Sequence, residues 1–261
     1  MLPTAFVLSM LRSFRFTAAA LALLAAAGCQ RGPYRPTAHF VPATSQPVGK
    51  TQAEDPAVAA LIRPYHDKVT AEMQGVLGTA PVALTKKAGE SPLANFVADL
   101  QRQRAAEVLH EPVPLSVMSN GGLRASLPAG PVTLGNVFEL MPFENELVVL
   151  DAPAATVQQL FDYAAHVKMA ISGATYTATP DGHAQDIRIG GQPFDAAQAK
   201  PYAIAISDYL AGGGDNMVFF KNIAPRHTGV LLRTAIADHI RDLTKAGQPV
   251  TAQVEGRVKV N

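Results

Sequence analysis

Apolar residues recur along this chain in two rhythms, and the changes from one to the other mark out its elements. Over residues 56–75, Val58, Leu61, Ile62, Tyr65 and Val69 return at three- and four-residue steps, the period of a helix with one apolar side. Ser91-Pro92 offers a side-chain acceptor followed by proline at a first helical position. The helix it opens is predicted to run to about Val108, with Leu93, Phe96, Val97 and Leu100 on one side. Val113–Met118 reads as a short strand running straight into Asn120-Gly121-Gly122. A short helix is predicted over Thr133–Leu140, a buried strand over Glu146–Leu150, and a helix over Pro153–Val167 that turns Val157, Leu160, Phe161 and Ala164 inward.

Beyond Ile171 the pattern becomes polar and β-rich as far as Phe194, with Gly182 and Gly190-Gly191 placed as hairpin turns. Tyr202–Ser207 (YAIAIS) is a strand that ends in a second glycine loop, Gly212-Gly213-Gly214-Asp215. An amphipathic helix is predicted over Val230–Leu243, and an alternating strand over Thr251–Val260 closes the chain. Helices interleaved with strands of both kinds predict an α/β (α+β) domain, layered α/β/β/α with mixed sheets.

The first residues change the picture of where such a domain works. Arg12 and Arg15 precede an apolar run from Phe16 to Ala27 that ends Ala26-Ala27-Gly28-Cys29. A positive start, roughly a dozen apolar residues and small residues before the cut describe a secretory signal. The run falls short of the about 20 residues a membrane span needs. Cys29 is the one cysteine of the chain, and its setting resembles a lipobox. Residues 1–28 are therefore expected to be a lipoprotein signal peptide and Cys29 the lipidated residue, tethering an exported protein to a membrane, in the periplasm or at the cell surface. Residues 29–55 are rich in Pro, Thr and Gln without apolar period and read as a flexible tether. Residues 56–261 then form a domain of roughly 200 residues, large enough for a substantial core. A formal net charge of +1, the absence of any basic run and the absence of tryptophan argue against nucleic-acid binding.

Two glycine-rich loops, each directly after a strand, are the candidate chemistry. Glycine lets the backbone approach a ligand closely and adopt positive φ, and loops at strand ends are where sites form on α/β sheets. Taken singly, each could equally be an ordinary tight turn. Their company is more informative. LANFVADLQRQ (93–103), SNGGLRASL (119–127), LMPFENELVVL (140–150) and ISDYLAGGGDN (206–216) follow one another in that order. In that order the chain resembles the C-terminal, substrate-binding domain of the 5'-nucleotidases and UDP-sugar hydrolases. That family's pattern runs Leu-Gly-Asn-Leu-x-x-Asp-Ala, then Asn-x-Gly-Gly-Ile-Arg, then Pro-Phe, then Asp-Phe-Leu-Ala-x-Gly-Gly-Asp-Gly. The resemblance spans roughly residues 56–256.

The resemblance implies a nucleotide or nucleoside as ligand. Phe143 and Tyr209 match the two aromatic positions that sandwich the base in the family. Without the resemblance, Phe143 reads as a core aromatic beside Leu147 and Val149. Asp215 matches the aspartate that accepts hydrogen bonds from the ribose hydroxyls; on its own it could stabilise the loop as an Asx turn. Arg124 matches an arginine that faces the phosphate, and Gly121 and Gly122 match the glycine pair. Lys87 lies near a further phosphate-facing position but is expected to be a solvated lysine. Three positions depart from the pattern. Ser119 stands where the family has its base-contacting asparagine, with Asn120 in the variable position, so either Ser119 or Asn120 would take that role. Asn216 replaces a glycine, and Tyr209 replaces phenylalanine while keeping the stacking face.

The family's two-metal centre is built by clustered Asp-x-His, Gly-Asn-His-Glu and Gly-His-x-His ligands, and none of these motifs occurs in this sequence. The seven histidines (39, 66, 110, 166, 183, 227 and 239) are scattered. There is no Gly-x-Ser-x-Gly elbow, Walker loop or Rossmann fingerprint. Asp99 and Asp162 lie on predicted helices, with no sign of an acid–base pair. The expectation is therefore no cofactor and no catalytic residue in this chain, with divalent metals held by a separate metallophosphoesterase protein. A stand-alone envelope nucleotide-binding lipoprotein and a degenerate protein-interaction domain are the alternatives.

Overall fold

A computed structural model of the chain describes residues 45, 49 and 52–260. Cys29 and the signal segment lie outside the described residues. The chain divides into Met1–Glu54 and Asp55–Asn261, and the second unit is the one described below.

The domain opens with helix α1 (Pro56–Met73), capped by the Asp55 side chain, which accepts from the Ala57 and Val58 amides at 2.8 and 3.2 Å. Its apolar stripe is not buried: Leu61 and Tyr65 are each 72% exposed, and Val58, Ile62 and Val69 also lie open. Strand β1 (Val76–Ala80) pairs antiparallel with β3 (Gly130–Thr133) in a two-stranded ribbon. Helix α2 (Pro92–Leu109) starts where Ser91 accepts from the Ala94 amide at 3.2 Å with Pro92 in the first turn. Such a cap contributes about 1 kcal/mol. Helix α3 (Leu134–Leu140) is closed by a reciprocal capping box between Thr133 and Asn136.

Nine further elements build the body. They are strand β2 (Leu115–Val117), strand β4 (Glu146–Ala152), helix α4 (Ala154–Val167), and strands β5 (Ile171–Ser172), β6 (Ala174–Ala178), β7 (Ala184–Ile189), β8 (Gln192–Pro193) and β9 (Tyr202–Ser207), with the short helix α5 (Asp208–Ala211). Strand β10 (Pro225–Leu231), helix α6 (Leu232–Lys245) and strand β11 (Val258–Val260) complete the domain. The central sheet has the order β10-β4-β9-β2-β5, and a second sheet runs β11-β6-β7-β8. Both are mixed: β2 lies parallel to β9 and β11 parallel to β6, while the other pairings are antiparallel. The expected mixed α/β class holds.

Both faces of the central sheet are buried, and strand alternation decides which residue goes where. Leu147, Val149 and Ala205 join a core with α2, α3 and α6, while Val148, Leu150, Ile204 and Ile206 join one with α4 and the second sheet. Phe161 of α4 packs edge-on to Tyr176 of β6 at 5.7 Å between ring centroids. Most polar residues of this interior find partners, although Asn95 Oδ1 and Gln101 Oε1 are buried without one among the described residues. Buried Glu90 accepts from the Asn95 side chain at 2.7 Å and from the Glu255 and Arg257 amides at 2.8 and 2.9 Å, which fixes the C-terminal segment against α2. Asp99 binds Arg257, and Asp162 accepts from the Ala184 amide at 3.0 Å, so each of these helix aspartates serves the structure.

Two expectations near the C-terminus are corrected. The predicted helix over Val230–Leu243 starts at Leu232, because residues 225–231 form the edge strand β10 beside β4. The predicted strand over Thr251–Val260 is reduced to Val258–Val260, since the preceding residues are held by Glu90 and by tertiary contacts instead of a ladder.

His239 on α6 lies tilted against Phe96 of α2, with centroids 5.5 Å apart. Burial lowers its pKa below the usual imidazole value, against the opposing pull of Glu107 and Asp242. The folded state therefore favours neutral imidazole, and the unfolded chain takes up the proton first as pH falls. That stability is complete above the usual value of about 6.5 and is lost as pH drops from there through the lowered folded value. The thermal midpoint is expected to fall between about pH 7.5 and 5.5, and His239→Leu to flatten that fall. Scanning fluorimetry of both proteins across this range checks it; parallel curves would assign the effect to another group.

Candidate functional site

The order of the central sheet brings four distant segments to one edge. Strands β2 and β9 run parallel, so their C-terminal ends emerge together. Strand β4 runs antiparallel to β9, with Leu147 opposite Ser207, so its N-terminal end arrives at the same edge. Strand β10 returns beside β4, with Leu231 opposite Glu146, and delivers the start of α6 there. Between these ends lies a cleft of about 530 Å³. Its lining includes Ser119, Gly121, Gly122, Arg124, Phe143, Tyr209 and Asp215. These residues, far apart in sequence, are thus brought together. Asn120 is not among the lining residues; its side-chain oxygen is buried without a partner.

Phe143 is 41% exposed and Tyr209 53% exposed, so both rings present surface to the cleft. Phe143 sits on the loop between α3 and β4. Arg233 of α6 holds that loop, donating to the Pro142 and Phe143 carbonyls at 3.2 and 3.4 Å while its guanidinium lies 4.2 Å from the Phe138 ring centroid. Asn145 adds a second tie, donating to Asp208 at 2.9 Å across from the next loop.

Tyr209 stands on α5, where Ser207 caps the helix by accepting from the Leu210 amide at 3.2 Å. The glycine loop passes directly beneath its ring: a Cβ on Gly214 would fall 2.5 Å from the ring carbons. The Tyr209 hydroxyl donates to Asp215 Oδ1 at 3.0 Å and accepts from the Asp215 amide at 3.3 Å. Asp215 Oδ2 points toward Gly121, where a Cβ would come within 3.2 Å. Close approach thus requires glycine at 214, beneath the Tyr209 ring, and favours it at 121, beside the carboxylate. Asp215 itself adopts left-handed backbone, φ +49°, and its carbonyl accepts from the Tyr163 hydroxyl of α4 at 2.7 Å. Burial, then the nearby Asp215 charge, raises the Tyr163 pKa, so that hydroxyl remains a donor.

The first glycine turn is fixed by Ser119, whose buried hydroxyl accepts from the Gly122 amide at 3.3 Å. Lys86 clamps it from outside by donating to the Asn120 and Leu123 carbonyls. Its neighbour Lys87 is exposed. Arg124 reaches back to the Gly121 carbonyl at 3.4 Å and is otherwise free of salt bridges among the described residues, leaving most of its fork for an anion at the rim. Sequence reasoning missed Lys86, Tyr163 and Arg233, which hold the loops, and Glu144, Asn145 and Ser207 in the lining. Lys86, Tyr163 and Arg233 act through tertiary contacts and carry no local motif, whereas Glu144, Asn145 and Ser207 lie inside the quoted motifs.

The cleft therefore combines two exposed aromatic faces, a preset carboxylate and a cation. Among the described residues no three His, Cys, Asp or Glu side chains cluster closely enough to hold a metal ion, and no step is assigned to one here.

The family model of the 5'-nucleotidase C-terminal domain matches residues 69–222, more than half of the chain. The chain belongs to that family. Protein UshA of Escherichia coli is 30% identical over 173 residues, covering 62% of this chain and 30% of UshA. Cell wall protein Lmo0130 of Listeria monocytogenes is 31% identical over 187 residues, covering 64% of this chain and 23% of that protein. This chain thus spans about a third or less of the relatives it matches. A 5'-nucleotidase precursor from Thermus thermophilus shares the fold, with a TM-score of 0.66 at 24% identity over 78% of this chain and 43% of that one.

Within the 5'-nucleotidase C-terminal family, the departures of this chain have local physical accounts. Asn216 adopts φ +64°, a conformation asparagine tolerates better than most residues, so it can stand in for glycine. Tyr209 adds a hydroxyl that phenylalanine lacks and uses it on Asp215. Of the two candidates for the missing asparagine, Ser119 lines the cleft and Asn120 does not.

Proposed function

We propose that this chain is the substrate-binding part of a 5'-nucleotidase-type hydrolase system in nucleotide catabolism. The cleft takes a nucleoside or nucleotide, and a separate metallophosphoesterase chain supplies the divalent metals and the hydrolytic step. The base lies between Phe143 and Tyr209, Asp215 accepts from the ribose hydroxyls, Ser119 faces the base edge, and Arg124 meets the phosphate. The observation that carries this reading is the presence of both aromatic faces in one cleft with the Asp215 carboxylate already oriented. A carboxylate with two acceptor oxygens suits a vicinal diol, and a base stacks on any flat ring. Export as a lipoprotein anchored through Cys29 fits the signal-like start of the sequence and the similarity to a cell wall protein.

Calorimetry of the chain with adenosine and AMP is the first test, followed by phosphate release from AMP when an exported metallophosphoesterase is added. Binding together with a gain over the metallophosphoesterase alone supports the proposal. Binding without any gain favours the stand-alone binding lipoprotein. Absence of binding to either ligand sinks both and leaves the interaction-domain reading.

A further inference from the structure

A second hollow, of about 430 Å³, opens at the other end of the central sheet. Asp99 and Arg102 of α2, Thr175 of β6, Arg188 of β7, and Glu255 and Arg257 ahead of β11 line it. The nucleotide cleft follows the last residue of β2, Val117. This hollow adjoins Gly173, which packs against Pro114, just before the first residue of that strand.

Three arginines against two carboxylates leave one net positive charge, and the pairing concentrates it. Both carboxylates are engaged by a single arginine. Asp99 accepts from Arg257 Nη1 and Nη2 at 2.9 and 2.7 Å, and Glu255 accepts from its Nε and Nη2 at 2.9 and 2.8 Å. The Arg257 side chain is only 8% exposed, so this triad forms a fixed wall. Asp99 also accepts from the Ser172 hydroxyl. Arg102 and Arg188 have no carboxylate partner among the described residues. Half-buried Arg102 uses its Nε on the Ser172 hydroxyl at 2.9 Å, which aims the guanidinium and leaves both of its Nη groups without an acceptor among the described residues. Arg188 donates from one Nη to the Gly191 carbonyl at 3.2 Å. It stands directly across the β6–β7 ladder from Thr175, so that hydroxyl shares its face of the sheet.

Two guanidinium forks with free donors at one hollow, beside carboxylates already committed elsewhere, describe an oxyanion site. We propose that this hollow binds a phosphate group through Arg102 and Arg188, with Thr175 as a neutral donor and the Arg257 triad holding the wall in place. The phosphate is either the free ion or that of a small organic ester, since both present the same oxygens.

The test titrates the full chain, in buffer free of other oxyanions, with inorganic phosphate and separately with glycerol 3-phosphate, followed by calorimetry and phosphorus NMR line widths. Saturable binding is expected, weakened about tenfold by Arg188→Gln and by Arg102→Gln, and weakened further by added salt. Arg63→Gln, which removes an exposed arginine of α1 that lines neither hollow, leaves it unchanged. Tighter binding of glycerol 3-phosphate identifies an ester as the natural ligand, and equal binding identifies the free ion. Arg188 is exposed, so its variant keeps the fold and decides the matter alone if Arg102→Gln does not fold. Lack of saturable binding by the unaltered chain, or binding that survives Arg188→Gln undiminished, overturns the proposal.

Discussion

Phe143→Ala and Tyr209→Ala are each expected to weaken nucleoside binding about five- to a hundredfold, the loss of one stacking face at about 1–3 kcal/mol per base. Both rings lie at the surface of the cleft and not in the core, so neither truncation removes interior packing. The thermal midpoint should therefore hold in Phe143→Ala while affinity falls, and drop modestly in Tyr209→Ala, which also loses its two hydrogen bonds to Asp215. Tyr209→Phe separates the two roles of that side chain. It keeps the stacking face and deletes the hydroxyl that holds Asp215 Oδ1 at 3.0 Å. Affinity for adenosine is expected to fall less than in Tyr209→Ala, with the loss concentrated in the discrimination between ribose and 2'-deoxyribose. Calorimetry with adenosine and 2'-deoxyadenosine reads both numbers. Unchanged affinity in both alanine variants would mean that the rings do not clamp a ligand.

Gly173→Ala is expected to cost about 3 kcal/mol or more, which for a domain of this size lowers the thermal midpoint by about 6–12 °C. Two effects combine there. Gly173 sits at φ +83°, and a Cβ would fall 2.0 Å from the Pro114 carbonyl oxygen, a backbone atom that cannot swing aside. Gly190→Ala is the informative comparison. Gly190 has φ +58° with nothing near its Cβ position, so only the left-handed backbone penalty of about 1–2 kcal/mol applies. Thermal melts of the two variants measure the difference, and equal losses would show that the close approach to Pro114 relaxes.

Much of the site was legible before any coordinate. Glycines after strands mark backbone that must turn sharply or let something near, and here they do both: Gly121 makes room for the Asp215 carboxylate and Gly214 for the Tyr209 ring. Motif order was informative because parallel β2 and β9 carry their C-terminal loops to the same edge. The supporting residues were invisible for the complementary reason. Tyr163, Lys86 and Arg233 act at long sequence separation through single hydrogen bonds, which leave no periodic trace.

Edge strand β10 was hidden by the same lack of local signal. Its residues, PRHTGVL, are mostly polar or half-exposed, so no apolar rhythm announces it, and only pairing with β4 makes it a strand. The helix α1 stripe shows the limit of period in another way. Its period gave the helix correctly, but period reports which residues share a face and not whether anything covers that face; here the apolar side stays open. By itself the sequence determined the five longer helices, strands β2, β4 and β9 and the family motifs, because caps, period and glycine turns act over a few residues, while β1, β3 and α5 carried no such signal. Only the tertiary structure decided that Ser119 and not Asn120 lines the cleft, that Tyr209 holds Asp215, and that Arg102 and Arg188 are left without a carboxylate. Each of those depends on which distant side chain takes a hydrogen-bonding partner first, and that competition is settled by packing.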